Sequence, residues 1–110
     1  MSYRKAERRQ SVREVCNLAA TCHPFTKRDC DSFLAIAHDI STDGVGLRAG
    51  QVVAVQTLRV ELHAPVGAYS VSKLVRVKHV GRNAKARSCL GGIFVKPLSQ
   101  NELHWLLGKE

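Results

Sequence analysis

The residues best suited to bind an anion lie near the start of the chain. Arg9 and Arg13 are four positions apart, so their side chains project to the same side of the chain whether it is helical or extended. In an extended segment the two residues would be about 13 Å apart. A guanidinium group donates planar, bidentate hydrogen bonds that match phosphate oxygens and the O6/N7 edge of guanine, and it also stacks on bases. The pair could therefore hold a nucleotide. Because Arg4 and Arg8 have the same spacing, a solvated basic tail would explain the pattern better if no second motif accompanied it.

A second group of polar residues occupies positions 39–44. In a strand, Asp39 and Ser41 would point to one face, and Ile40 between them would point into the core. A carboxylate beside a hydroxyl can accept hydrogen bonds from the N1–H and N2–H groups on the Watson–Crick edge of guanine. Gly44 would then allow a positive φ and a close approach of the ligand. The competing interpretation is that Asp39 and Ser41 only cap a hairpin turn, which is a common use of both residue types.

The elements that must position these residues are predicted to be strands. Segments rich in Val, Leu, Ile and Ala alternate with turn signals such as the Asp-Gly pair at 43–44. The predicted strands are 14–21, 33–40, 44–48, 52–62, 69–80 and 86–94. Short turns favour antiparallel pairing, so we expect strand 52–62 to lie between its neighbours in sequence and to bend across two sides of a small barrel.

The end of the chain changes to a helical pattern. Ser99 is followed three residues later by Glu102, which is the signature of a capping box. Leu103, Leu106 and Leu107 then repeat at helical spacing. We therefore predict a short C-terminal helix whose apolar side closes the core of the barrel, with contact to a partner surface as the alternative.

The composition indicates one soluble globular domain. The chain has 110 residues, of which 45% are hydrophobic and 24% are charged. It contains no run of the roughly 20 apolar residues that span a bilayer, and its start lacks the apolar segment of a signal peptide. We expect a cytoplasmic protein without membrane insertion. Free thiols and no metal are also expected, because the four cysteines form no CxxC pair and match no common zinc pattern: Cys16, Cys22, Cys30 and Cys89.

The net charge of +8 predicts an anionic partner. Part of the excess is concentrated in the first thirteen residues, where only Glu7 opposes the basic residues Arg4, Lys5, Arg8, Arg9 and Arg13. The remainder is spread along the predicted strands, where solvated lysines and arginines are common. We therefore divide the chain into a basic N-terminal arm, residues 1–13, and a barrel with a C-terminal helix, residues 14–110.

Three motifs in order make this sequence resemble the PilZ domain family. Residues 9–13 match its RxxxR segment, residues 39–44 match its (D/N)xSxxG segment, and Leu90-Gly91-Gly92-Ile93-Phe94 contains its late GxxF strand. Together they extend across nearly the whole chain. The resemblance implies an all-β protein, a six-stranded antiparallel β-barrel with a short C-terminal helix. It also implies a bacterial receptor or adaptor for the second messenger cyclic di-GMP, with no cofactor and with a downstream effector protein as partner.

The resemblance also implies roles for individual residues. Arg9 and Arg13 would clamp the phosphates and guanine of cyclic di-GMP, and Arg8 would add a contact that favours a stacked dimer of the ligand. Asp39 and Ser41 would contact a guanine. Further roles are implied for three glycine or aromatic positions: Gly44 would shape the turn, and Gly91 and Phe94 would be structural. The hydrophilic segment 22–32 departs from the family pattern and contains no motif residue.

Other classes of function fit the sequence less well. No nucleophile and base have an evident spacing, so no enzyme is predicted, and in a regular strand His38 would point away from Asp39 as a partly exposed structural residue. A sequence-tolerant RNA- or DNA-binding barrel is the stronger alternative because the chain is basic. Its few, scattered aromatic residues argue against a stacking platform for nucleic acid. An adaptor that binds only protein is a third possibility, and the presence of both ligand motifs argues against it.

Overall fold

The fold is a closed barrel of six antiparallel strands, seen in a computed structural model that describes residues 12–25, 32–51, 55–83 and 86–108. Around the barrel the strands follow the order β1-β2-β3-β6-β5-β4. The predicted all-β barrel with a short C-terminal helix is therefore confirmed. The elements are β1 (Glu14–Pro24), β2 (Phe33–Ile40), β3 (Gly44–Ala49), β4 (Thr57–His63), β5 (Ser70–Asn83), β6 (Ala86–Phe94) and the helix α1 (Gln100–Leu106).

The core is built by alternate residues of each strand. In β2, for example, Phe33, Ala35 and Ala37 are buried while Leu34 and Ile36 between them are exposed. This period of two directs one face of every strand into the barrel and leaves the other face for solvent or a ligand. The largest fully buried apolar side chains of the strands are Ile40, Val45, Leu47, Leu58, Val60, Leu62 and Val75.

The position of β4 differs from the expectation in two respects. It begins at Thr57 rather than at residue 52. It pairs with β1 and β5, whereas β3 pairs with β2 and β6. The prediction that β4 lies between its two neighbours in sequence is therefore right for β5 and wrong for β3. The observed pairing of β3 with β6 requires a glycine at position 44, because a Cβ there would lie only 2.5 Å from the backbone oxygen of Gly92. The segment 50–56 is also too long for a tight hairpin turn.

Helix α1 starts at the predicted capping box. The Ser99 hydroxyl accepts a hydrogen bond from the Glu102 N–H at 3.0 Å, and the Ser99 N–H donates to Glu102 Oε1 at 2.8 Å. Leu103 and Leu106 are buried in the core, as the helical spacing predicts. In the part of the chain that the structure describes, no helix is long and apolar enough to cross a membrane.

Candidate functional site

The first and second sequence motifs meet at Arg13 and Asp39. Arg13 immediately precedes β1, Asp39 lies near the end of β2, and Arg13 Nη1 donates to Asp39 Oδ1 at 2.5 Å. Both side chains remain accessible, with 48% of Arg13 and 29% of Asp39 exposed. The structure thus joins one predicted arginine to the predicted acidic residue. The other two predicted arginines, Arg8 and Arg9, lie outside the described residues.

A β-bulge places His38 beside Asp39. Ala37 pairs with Leu47 and Asp39 pairs with Gly46, so His38 is an extra residue on β2 at this point. His38 Nδ1 lies 3.4 Å from Asp39 Oδ2. The prediction that these two side chains point to opposite faces is therefore wrong, because it assumed a regular strand.

Two glycines form the floor next to these polar groups. Gly46 of β3 and Gly91 of β6 are direct partners in the sheet. A Cβ at position 46 would lie 2.8 Å from Asp39 Oδ1 and 2.9 Å from the His38 ring, and a Cβ at position 91 would overlap the ring of His79. The absence of side chains here allows the three polar groups to lie close against the sheet.

These residues line an open pocket of about 390 Å³. That volume lies within the range of about 300 to 1,000 Å³ that small-molecule sites occupy. Asp39 is the one acidic residue among the described lining residues, so basic and neutral donors predominate and an anionic ligand is favoured. The pocket is lined by Arg13, His38, Asp39, Gly46, Arg48, His79, Cys89, Leu90 and Gly91.

Ser41 and Gly44 shape the turn after β2 and do not line the pocket. Ser41 is only 2% exposed, and its hydroxyl accepts hydrogen bonds from the N–H groups of Asp43 at 3.1 Å and Gly44 at 3.2 Å. This is the turn-capping role that the sequence left open. The predicted positive φ at Gly44 is wrong, since the described glycines with positive φ are Gly67 and Gly108. Gly44 instead allows close packing of β3 on β6, and a Cβ there would lie 3.5 Å from Arg13 Nη2.

Sequence reasoning placed five of the lining residues in no site: His38, Gly46, Arg48, His79 and Cys89. The alternation of β5 would place His79 on the inner face with Val75 and Val77, and only the bulge between Val77 and His79 turns its side chain outward. Their meeting depends on which strands pair and on the bulge in β2, and neither of these can be read from local sequence.

A second polar cluster lies where β1 meets β4, on the opposite side of the ring of strands. His23 Nδ1 is 2.6 Å from Ser32 Oγ, and His23 Nε2 is 3.0 Å from Glu61 Oε1. The hydrogen bond with His23 is the main cause that lowers the pKa of Glu61, and the nearby Arg59 and His63 act in the same direction. These contacts connect β1 to β4 and to the residue before β2, so we interpret the cluster as structural.

The described cysteines are free thiols, and two of them are unreactive in character. Cys16 Sγ donates to the backbone oxygen of Ala37 at 3.3 Å. Burial raises the pKa of Cys16 to about 11 and that of Cys22 to about 12. Cys89 is also free and lines the pocket, and Cys30 lies outside the described residues.

Comparison with known proteins identifies solved structures that have a similar fold. No protein-family model matches the chain, and no curated protein matches it in sequence. Among solved structures it is similar to the Bacillus subtilis inhibitor of motility MotI/DgrA, with a TM-score of 0.70 and 15% identity over 89% of this chain and 47% of that one. This chain thus spans about half the length of MotI/DgrA. It is also similar to the PilZ domain of YcgR from Escherichia coli, solved with c-di-GMP, with a TM-score of 0.62 and 13% identity over 89% of this chain and 86% of that one. The protein has the fold of a PilZ domain.

Proposed function

We propose that this chain is a bacterial, cytoplasmic receptor for cyclic di-GMP that acts by binding and not by catalysis. The observation that carries the proposal is the contact between Arg13 and Asp39 beside a glycine-floored pocket. The fold supports it, because a similar solved structure is a PilZ domain with c-di-GMP. The basic arm, residues 1–13, would supply Arg8 and Arg9 to the same ligand.

In this proposal the ligand exchanges partners with the ion pair. A phosphate of cyclic di-GMP accepts bidentate hydrogen bonds from Arg13, which leaves its contact with Asp39. The Asp39 carboxylate then accepts from the N1–H and N2–H groups of a guanine. Each charged side chain thereby obtains a partner of matching chemistry, so neither is left unpaired when the ligand displaces water.

Ser41 and Gly44 contribute indirectly in this proposal. The Ser41 hydroxyl fixes the turn that follows Asp39, and Gly44 lets β3 approach β6. Both residues therefore position Asp39 and the pocket floor and do not touch the ligand. A ligand bound by both the arm and the barrel would present a new surface to a downstream effector protein.

The test is calorimetry with cyclic di-GMP, GTP and single-stranded RNA on the wild type, Arg13→Ala and Asp39→Ala. We expect each substitution to weaken cyclic di-GMP binding at least about tenfold, since a hydrogen bond to a charged group contributes about 1.5 to 3 kcal/mol. Arg59→Ala is the matched control, because Arg59 lies on β4 outside the pocket and donates to Ser72. Salt-sensitive RNA binding that does not depend on Asp39 would instead favour the nucleic-acid alternative.

A further inference from the structure

The pocket has a wall that the sequence motifs do not supply. Arg13 and Asp39, the motif residues that bring charged side chains to the pocket, lie at its β1 and β2 side. Strands β3 and β6 form the floor, and β5 borders the floor on the other side. The pocket is an open groove over the outer faces of β3 and β6, with residues of β2 on one side and a residue of β5 on the other. A ligand that touched only the motif residues would leave the β5 side of this groove unused.

His79 forms that far wall. Val77 pairs with Gly92 and His79 pairs with Gly91, so β5 has an extra residue here and His79 stands opposite the floor glycine. Its ring fills the space that a side chain at position 91 would occupy. The His79 side chain is exposed and lines the pocket. An aromatic ring is therefore supported by the sheet and accessible from the groove, as a base-stacking surface requires.

Arg48 supplies a cation beside the same floor. It pairs with Cys89 of β6, two residues along from the pair Gly46 and Gly91 and on the same face of the sheet, and its side chain is exposed. Within the described ranges, Arg48 forms no ion pair, and the acidic residue of the pocket, Asp39, is already paired with Arg13. Its guanidinium group is thus available to a phosphate.

We propose that His79 and Arg48 complete the nucleotide site: the His79 ring stacks on a base, and Arg48 binds a phosphate. The inference rests on the proposed function and extends it to residues outside the family motifs. It makes Gly91 a positioning residue, because any side chain there would displace the His79 ring. The ligand class is a guanine nucleotide held from both sides of the groove.

The experiment measures affinity for cyclic di-GMP by calorimetry, with thermal unfolding as a check of folding. His79→Ala and Arg48→Ala should each weaken binding about tenfold. His79→Phe should stay within about twofold of the wild type, because a phenyl ring keeps the stacking surface. Arg48→Ala should also reduce the slope of log K against log salt by about one. His63→Ala and Arg59→Ala, on β4 outside the pocket, are matched controls and should bind like the wild type.

Gly91→Ala tests the positioning role. It should reproduce the loss caused by His79→Ala, and the double variant should be no weaker than either single one, because both remove the same contact. Additive losses would overturn the positioning role of Gly91. Equal losses in His79→Phe and His79→Ala would overturn stacking.

The outcomes separate this inference from the proposed function. Wild-type affinity for cyclic di-GMP in both His79→Ala and Arg48→Ala overturns the inference and leaves the proposed function standing. If the wild type does not bind cyclic di-GMP but binds GTP, and GTP binding depends on His79 and Arg48, the proposed function fails and the inference holds. If the wild type binds neither nucleotide, both are overturned.

Discussion

Arg13 and Asp39 are 26 positions apart in the chain, yet their side chains are joined by a hydrogen bond of 2.5 Å at the accessible edge of the pocket. Because 48% of Arg13 and 29% of Asp39 remain exposed, water competes with the pair and screens it. The pair should therefore matter much more for ligand binding than for folding.

The first prediction follows from that exposure. In a double-mutant cycle with Arg13→Ala and Asp39→Ala, we expect a coupling free energy of unfolding below about 1 kcal/mol, as for other accessible ion pairs. Urea unfolding of the four proteins at low and moderate salt measures it. A coupling of several kcal/mol would mean that the pair holds residues 12 and 13 to the barrel, and a mainly structural role would then replace the binding role.

The second prediction concerns the contact between β3 and β6. A Cβ at Gly44 would lie 2.5 Å from the Gly92 oxygen, and this backbone atom can move away only if the two strands separate. Gly44→Ala should therefore lower the free energy of unfolding by about 1 to 3 kcal/mol. Gly50→Ala is the matched control, because nothing lies within 4 Å of its Cβ position, and it should be neutral or slightly stabilising. The comparison needs only denaturation curves, and similar losses in both variants would refute the steric argument.

Local pattern was sufficient to predict several elements of this fold. The predicted bounds of β2 and β6, 33–40 and 86–94, are those observed, because apolar alternation and flanking turn residues are properties of adjacent positions. The capping box at Ser99 and Glu102 was predicted for the same reason.

Features that depend on pairing between distant strands could not be predicted. The order of β4 in the barrel, the bulge at His38 and the pairing of Gly46 with Gly91 all depend on register, which adjacent residues do not encode. The sequence therefore predicted only part of the candidate site. Arg13 and Asp39 belong to motifs, whereas His79 reaches the pocket only because β5 pairs with β6.

The third prediction concerns the capping box of α1. The N–H of Ser99 is the first cause that lowers the pKa of Glu102, and Lys73 acts in the same direction. A lowered pKa in the folded state means that this carboxylate stabilises the protein above its unfolded pKa, and that this contribution is lost as pH falls through the folded pKa. Glu102→Gln should thus be destabilising near neutral pH and approach the wild type in acid.

Ser99→Ala provides the companion test for that capping box. Loss of the cap should cost about 1 kcal/mol near neutral pH. Urea unfolding at neutral and acidic pH measures both variants. A difference between wild type and Glu102→Gln that does not shrink on acidification would show that the charge of Glu102 contributes nothing to the cap.

The fourth prediction concerns Cys22, whose side chain has no exposed surface. Burial raises the pKa of this thiol to about 12, whereas in the unfolded chain a thiol ionises near its ordinary value of about 8.5. Between these two values the unfolded state loses a proton that the folded state keeps, so stability falls as pH rises, by up to about 1.4 kcal/mol per pH unit.

Cys22→Ala should make this alkaline decline in stability shallower. Val60→Ala, which removes volume from the strand partner of Cys22 without removing an ionisable group, should lower stability and keep the wild-type slope. Denaturation curves between pH 8 and 10 give these slopes, and identical slopes for the wild type and Cys22→Ala would show that this thiol does not drive the decline.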